Sequence, residues 1–183
     1  MRAKQLSEEH IVEAAQNGHL ESFAALYQRY HSPMVALAYS KLGDRDLADD
    51  AAQEVFAIAC RDLLRLKRKD KFGYWLAGIC RNVTRQMLRS KVKISAGNVE
   101  QPAQGRDGQA GRWDVVRRAV WKLPDAEREL IVLRYYDGFS HAHISQVLDI
   151  SPSAVNGRLV RAKRKIAKYL RSNGFTEEDY ETV

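Results

Sequence analysis

The chain has 183 residues, with 30 Lys and Arg against 23 Asp and Glu, a formal net charge of +7 and 45% hydrophobic residues. This is room for one medium core or two small ones, and the balance of charge favours a polyanionic partner or an anionic membrane surface. No apolar run approaches the roughly 20 residues of a membrane span, and the start MRAKQLSEEH lacks the apolar stretch of a secretory signal. Membrane insertion and export are therefore not expected, and the expected location is cytoplasmic. Cys60 and Cys80 stand apart from each other and from any His cluster, which signals neither a disulfide framework nor a zinc site and favours two buried structural thiols.

In chain order, Ser7-Glu8-Glu9 starts a first helix that stops at Asn17-Gly18, and an apolar-periodic stretch from Leu20 runs to Gly43 with a bend or break expected at Pro33. Asp44 caps a third helix, Arg45 to about Leu64. It gathers Leu47, Ala48, Ala52, Val55, Phe56 and Ala59 on one side, with Asp46, Asp49, Asp50, Gln53 and Glu54 largely on the other. A basic connector, Arg65-Leu66-Lys67-Arg68-Lys69-Asp70-Lys71, leads into a fourth helix bearing Phe72, Tyr74, Trp75, Leu76, Ile79, Val83 and Met87, with Arg81, Arg85, Arg89 and Lys93 at four-residue spacing. SAGNVEQPAQGRDGQAGR, residues 95–112, has no apolar period and is expected to be a flexible linker. A second helical unit spans 113–171, and a short acidic tail, 172–183, carries Glu177, Glu178, Asp179 and Glu181.

Within the second unit, DGFSHAHISQVLDISPSAVNGRLVRAKRK reads as a helix-turn-helix. Ser151 at the N-cap and Pro152 at the first helical position fix the start of its second helix, because the cap accepts an orphan amide and proline lacks one. Ile144, Val147, Leu148, Ile150, Val155 and Leu159 are expected to bury the helix crossing, leaving Asn156, Arg158, Arg161, Lys163, Arg164 and Lys165 turned toward a major groove. Gly157 costs that helix about 1 kcal/mol relative to alanine, or permits close approach to DNA.

Two further constellations bear on chemistry. The carboxylates of the third helix lack a nearby His, a paired nucleophile or a phosphate-cradling glycine loop, so a solvated or partner-docking face outweighs catalysis or a metal site. The basic connector beside Phe72, Tyr74 and Trp75 suits single-stranded DNA, since cations neutralise phosphates and flat rings stack on unpaired bases. Phe72 and Trp75 also suit the core of an amphipathic helix, and for Trp75 that is the favoured reading. Competing classes are a stand-alone helix-turn-helix regulator with an N-terminal sensor or dimerisation domain, and a metal-dependent nuclease built on Asp46, Asp49, Asp50 and Glu54.

Taken together, GDRDLADDAAQEVF, FGYWLAGICRNV and LPDAERELIVLRYYDGFSHAHISQVLDISPSAVNGRLVRAKRKI resemble the bacterial sigma-70 family, extracytoplasmic-function type, in the family's order and with a linker at the right place. The resemblance implies an all-α fold of two small helical domains: region 2 over 1–94, and the region 4 helix-turn-helix over 113–171. It implies a promoter-specificity subunit, without catalytic residues, cofactor or metal, whose partners are core RNA polymerase, promoter DNA and, as members often have, an anti-sigma factor. Asp49, Asp50, Gln53 and Glu54 would dock on polymerase. Lys67, Arg68, Lys69, Lys71, Tyr74, Arg81, Asn82 and Arg85 would meet the melted −10 strand. Ser153, Asn156, Arg158, Arg161, Arg164 and Lys165 would meet the double-stranded −35 element, where Asn pairs with adenine and Arg with guanine. The sequence departs from the family's pattern at Gln86, where an acidic residue is usual, at His143 and Ser145, where Glu and Ala are common, and at Asp149, where a turn glycine is common. Promoter elements about 17 base pairs apart lie roughly 58 Å apart, and the 18 residues of 95–112, fully extended, reach roughly 60 Å.

Overall fold

The computed structural model describes residues 7–94, 108–136 and 138–175, with side chains omitted at 91–94 and 108–112. The described residues form eight helices and no strand, in keeping with the all-α, two-domain expectation: α1 (Glu8–Gln16), α2 (Leu20–Leu42), α3 (Arg45–Asp62), α4 (Phe72–Ile94), α5 (Gly108–Trp121), α6 (Asp125–Ile131), α7 (His141–Leu148) and α8 (Pro152–Arg171). Two 3-10 turns, Leu63–Arg65 and Lys69–Lys71, fill the basic connector, and a π-helical turn, Val132–Tyr136, extends α6.

The local signals act where the sequence places them. Asp44 accepts a hydrogen bond from the Leu47 amide at 3.1 Å, Ser140 one from His143 at 3.2 Å, and Ser151 one from Ala154 at 3.2 Å, so α3, α7 and α8 each start on a side-chain cap. Gly18 and Gly43 take positive φ just beyond α1 and α2, where a side chain would be strained. The acidic tail beyond Phe175 lies outside the described residues.

In three places the structure corrects the sequence reading. Pro33 neither breaks nor ends α2: the helix runs through it to Leu42, and its ring is buried. One missing amide hydrogen bond is outweighed by burial of Leu26, Tyr30, Met34 and Leu37 on either side, since each large side chain removed from water contributes about 1.5–3 kcal/mol. Next, α5 begins at Gly108, inside the stretch read as linker; residues 95–107 lie outside the described residues. Extending a helix already nucleated is cheap compared with starting one, so α5 grows backward from the Trp113–Trp121 segment. Finally, only Cys80 is a buried thiol. Its Sγ donates to the Met34 carbonyl at 3.6 Å, and burial pushes its pKa up to about 12. Cys60 is exposed, because it follows Gln53 and Ala57 along the open side of α3.

Helices α1–α4 form one bundle, with α2 packed on α1, α3 and α4, and α8 packs on α5, α6 and α7 to form the second unit. Ile144, Val147, Leu148, Val155 and Leu159 are buried at the α7–α8 crossing, with Ile150 packed beside them. The two units also lean on each other through α4 with α7, and through α2 with α6 and the π-helical turn.

The bundle's tightest joint is Tyr30 against α4. The ring is fully buried, meets Phe72 edge-on at 5.4 Å, and its hydroxyl donates to Glu8. A Cβ on Gly73 would sit 2.8 Å from Tyr30 Cε1. Gly73→Ala is therefore predicted to destabilise the protein. Overpacking costs about 1–3 kcal/mol, and alanine's better helix propensity returns at most about 1 kcal/mol. Thermal melting checks this; an unchanged or raised Tm would refute the close approach.

Candidate nucleic-acid interface

Three surfaces follow from these helices. On α3, burial of Ala48, Ala51, Ala52, Val55, Phe56 and Ala59 turns the opposite side out, where Asp50, Gln53 and Glu54 share one exposed stripe at i, i+3 and i+4 spacing and Asp49 is half-buried at its edge. None of Asp49, Asp50 and Glu54 forms an ion pair among the described residues, and no three His, Cys, Asp or Glu side chains there converge as a metal site requires.

The second surface is the connector and α4. Lys67, Arg68, Asn82 and Arg85 are exposed, and Tyr74 is 46% exposed. Phe72 is fully buried and Trp75 half-buried against the core, so Tyr74 is the ring of this trio best placed to stack on a base. Two cations have acidic company, Arg68 donating to Asp70 at 2.8 Å and Lys69 to Glu13 at 2.6 Å, while Arg85 donates to the neutral Asn82 amide oxygen at 3.0 Å. Lys71 pairs with Asp149, and Arg81 donates through Nε and Nη2 to the two carboxylate oxygens of Glu129, at 3.3 and 3.0 Å.

Those last two carboxylates come from the second unit, and sequence reasoning missed them. Glu129 is only 5% exposed and also takes Lys41 Nζ at 3.1 Å. Beside it Arg128 donates to the Ser40 carbonyl at 2.6 Å, and Lys41 reaches Asp125 at 2.7 Å, holding that carboxyl below the usual carboxylate range. Tyr39 stacks on Tyr136 at 5.0 Å and meets Trp121 edge-on at 6.2 Å. His143 lies edge-on to Tyr30 at 5.9 Å with a buried Nε2 that has no hydrogen-bond partner; burial first, and then the Arg29 guanidinium, hold it below the ordinary imidazole range. The one sequence signal was that His143 and Asp149 depart from the pattern the chain resembles. Asp149 occupies the left-handed turn position at φ 53, which aspartate tolerates better than most side chains.

The third surface is α8. Ser153, Asn156, Arg161 and Arg164 are exposed and Arg158 half-exposed, and these three arginines form no ion pair among the described residues. Lys165 instead pairs with Glu127 at 2.7 Å. Between α5, α6 and α8 lies an open groove of about 650 Å³, lined by Trp113, Val116, Trp121, Tyr135, Ile166 and Leu170, in which Trp113 and Tyr135 remain 59% and 57% exposed. Such aromatic exposure on a folded chain marks an interaction site. Sequence reasoning did not single it out, because the groove exists only where α5, α6 and α8 come together.

The comparisons with known proteins agree with this architecture. Residues 26–94 match Sigma-70 region 2, and residues 113–166 match Sigma-70, region 4. The chain is similar to the ECF RNA polymerase sigma factor SigW of Bacillus subtilis (strain 168), at 28% identity over 177 residues, covering 87% of this chain and 95% of SigW. Its fold is similar to CnrH, solved with the cytosolic domain of CnrY, with a TM-score of 0.61, 26% identity, and coverage of 91% and 99% of the two chains. It is also similar in fold to the sigma factor RpoE of Bartonella quintana, solved with the anti-sigma factor NepR, with a TM-score of 0.54, 22% identity, and coverage of 82% and 98%. The chain belongs to the sigma-70 family, extracytoplasmic-function type, and is an RNA polymerase sigma factor acting in transcription initiation.

A consequence concerns Gly157. It sits in α8 between Asn156 and Arg158, and an added Cβ would meet nothing nearer than Arg161 Nη1 at 4.0 Å, so nothing inside the chain requires glycine there. Gly157→Ala is predicted to stabilise the free protein by up to about 1 kcal/mol. If α8 enters a groove at this point, the same change weakens −35 DNA binding. Calorimetric melting and a −35 duplex titration read the two effects; stabilisation with undiminished DNA affinity would show that DNA does not approach Gly157.

Proposed function

We propose that the family's division of labour maps onto this chain residue by residue. Asp49, Asp50, Gln53 and Glu54 dock core RNA polymerase. Lys67, Arg68, Lys69, Lys71, Tyr74, Arg81, Asn82 and Arg85 engage the melted −10 strand. Ser153, Asn156, Arg158, Arg161, Arg164 and Lys165 meet the −35 duplex, the first four through bases or phosphates and Lys165 through phosphate. The units doing this are residues 1–94 and 113–171. The chain works in the cytoplasm and is not itself an enzyme: it supplies recognition and strand opening while polymerase supplies catalysis. No helix among the described residues is long and apolar enough to cross a membrane.

The observation that carries this reading is the pairing of an acidic stripe without ion-pair partners on α3 with a capped, strongly basic α8 in the second unit. A carboxylate row left bare beside a fully packed helix face is where a basic partner gains most from charge complementarity. The aromatic groove of the second unit suits an apolar helix from polymerase or from an anti-sigma factor such as the one RpoE of Bartonella quintana is solved with.

Run-off transcription with purified core polymerase on genomic promoters tests the assignment. The chain is expected to direct initiation at specific start sites, whereas a stand-alone regulator would bind DNA and direct none. The double variant Asp50→Lys, Glu54→Lys is expected to lose core binding with its circular dichroism unchanged, since both side chains project from the polar face. Native dichroism together with undiminished core affinity would reject the docking stripe.

A further inference from the structure

We propose that the aromatic groove between α5, α6 and α8 is filled, in the free chain, by residues 176–183 of the chain's own acidic tail, TEEDYETV, with Tyr180 seated among the groove's rings and the carboxylates beside it on Lys163 and Arg164 of α8. This goes beyond the assignment of polymerase and promoter surfaces and does not rest on it.

Three observations carry it. The first is that the end of α8 delivers the chain to the groove. The Phe175 amide donates back to the Leu170 carbonyl and the Gly174 amide to the Arg171 carbonyl, each at 3.2 Å, and Gly174 takes φ 86. A left-handed glycine under this pair of bonds reverses the chain at a helix end. Leu170 and Phe175 both line the groove, so residue 176 departs from its wall. The second is the fit of the segment that follows. Tyr180 lies five residues past Phe175, a reach of up to roughly 17 Å, and offers a ring to a groove in which Trp113 and Tyr135 leave more than half of their surface open. The third is charge. Lys163 sits over the Tyr135 ring at 5.7 Å and shares with Arg164 a shallower hollow of about 350 Å³ along α8. Neither cation forms an ion pair among the described residues, whereas Asp114, the acid in the groove's wall, is already held by Arg117 at 2.6 Å. Asp179 and Glu181 flank Tyr180, so a ring seated on Tyr135 brings carboxylates to Lys163.

A second copy of the chain is a poorer occupant. Two grooves brought face to face would set two basic α8 helices against each other in a chain of net charge +7, whereas the tail brings Glu177, Glu178, Asp179 and Glu181 to the same helix. The tail is also tethered at the groove's wall, where an effective concentration of about millimolar lets weak contacts suffice. An apolar helix from a partner must then displace Tyr180, and its apparent affinity falls in proportion to the fraction of grooves left open. That consequence alone rests on the partner-helix reading of the groove.

The test is nuclear magnetic resonance of the full chain carrying labelled nitrogen, whose indole N–H signals come from Trp75, Trp113 and Trp121 and are assigned with Trp75→Phe, Trp113→Phe and Trp121→Phe taken singly. Trp75 packs in the bundle and is the internal reference. Tyr180→Ala is expected to shift the Trp113 and Trp121 signals and to leave that of Trp75 in place. A nitroxide on Val183→Cys, with the exposed Cys60 replaced by serine and Cys80 buried, is expected to erase the Trp113 signal, and adding Tyr180→Ala to that chain is expected to restore it. When the nitroxide is carried instead on isotopically plain chains mixed with labelled wild type, the Trp113 signal is expected to survive. Its loss in the mixture would show the tail of a second copy in the groove and overturn the intramolecular contact. A Trp113 signal that persists beside the nitroxide in its own chain, or Trp113 and Trp121 signals that Tyr180→Ala does not move, would overturn occupancy by the tail.

Discussion

The arrangement of the whole molecule depends on one buried carboxylate. Glu129 is almost fully removed from water, and taking an isolated charge that far from solvent costs several kcal/mol. The cost is tolerable only because Lys41 and Arg81 reach it from the first unit and the Arg81 fork satisfies both oxygens. Such a cluster adds little net stability compared with a well-packed apolar patch. What it does is select: leaving Glu129 buried without Lys41 and Arg81 would cost about 3–5 kcal/mol, so a docking that kept it buried away from them is disfavoured. Charge pairing and packing therefore both place the two units: one continuous buried apolar cluster runs through both, and the Tyr39–Tyr136 stack and the Trp121 edge lie at the seam.

That distinction matters because Arg81 and Lys71 are also among the side chains proposed to meet the −10 strand. An interface made chiefly of leucines would hold the units together against any solvent, whereas one made of Arg81, Lys71 and carboxylates is exchangeable with a polyphosphate at small net cost. Each cation keeps an anionic partner in both states. Tyr30 and Phe72 of the bundle and Leu130, Val155 and Leu159 of the second unit belong to one buried apolar cluster. Burial stabilises each unit, and apolar packing joins charge pairing in holding the two together.

This division also explains what the sequence disclosed and what it withheld. Apolar periodicity and caps are local, and they located α1 and α3 to within a residue or two and the start of α8 at Pro152, together with the buried face of the helix-turn-helix. Pro33 misled because its effect depends on how much packing surrounds it, which is a property of the bundle. The start of α5 was missed because glycine and glutamine in the linker lower helix propensity only modestly, and a neighbouring helix overrides that. Cys60 was misassigned because a small apolar side chain on a surface stripe carries no period of its own. Glu129–Arg81 and Lys71–Asp149 were beyond reach for a different reason. A pair of opposite charges far apart in sequence has no signature, because any of the chain's many acids suits any of its many bases until the backbone brings two together.

The covalent tether sets how strong the contact between the units needs to be. With α5 starting at Gly108, the stretch 95–107 is shorter than the linker read from sequence, and thirteen residues fully extended reach roughly 45 Å. The two bodies, residues 7–94 and 108–175, add radii of gyration of roughly 12 and 11 Å, so promoter elements roughly 58 Å apart remain within span. The same short tether keeps the second unit at an effective concentration of about millimolar near the first, which closes an interface whose intermolecular affinity is itself only millimolar to micromolar. Strong contacts are therefore unnecessary. The seam is accordingly mixed: two bridged carboxylates and an arginine-to-carbonyl bond share it with the packing of α7 on α4 and of α6 and the π-helical turn on α2.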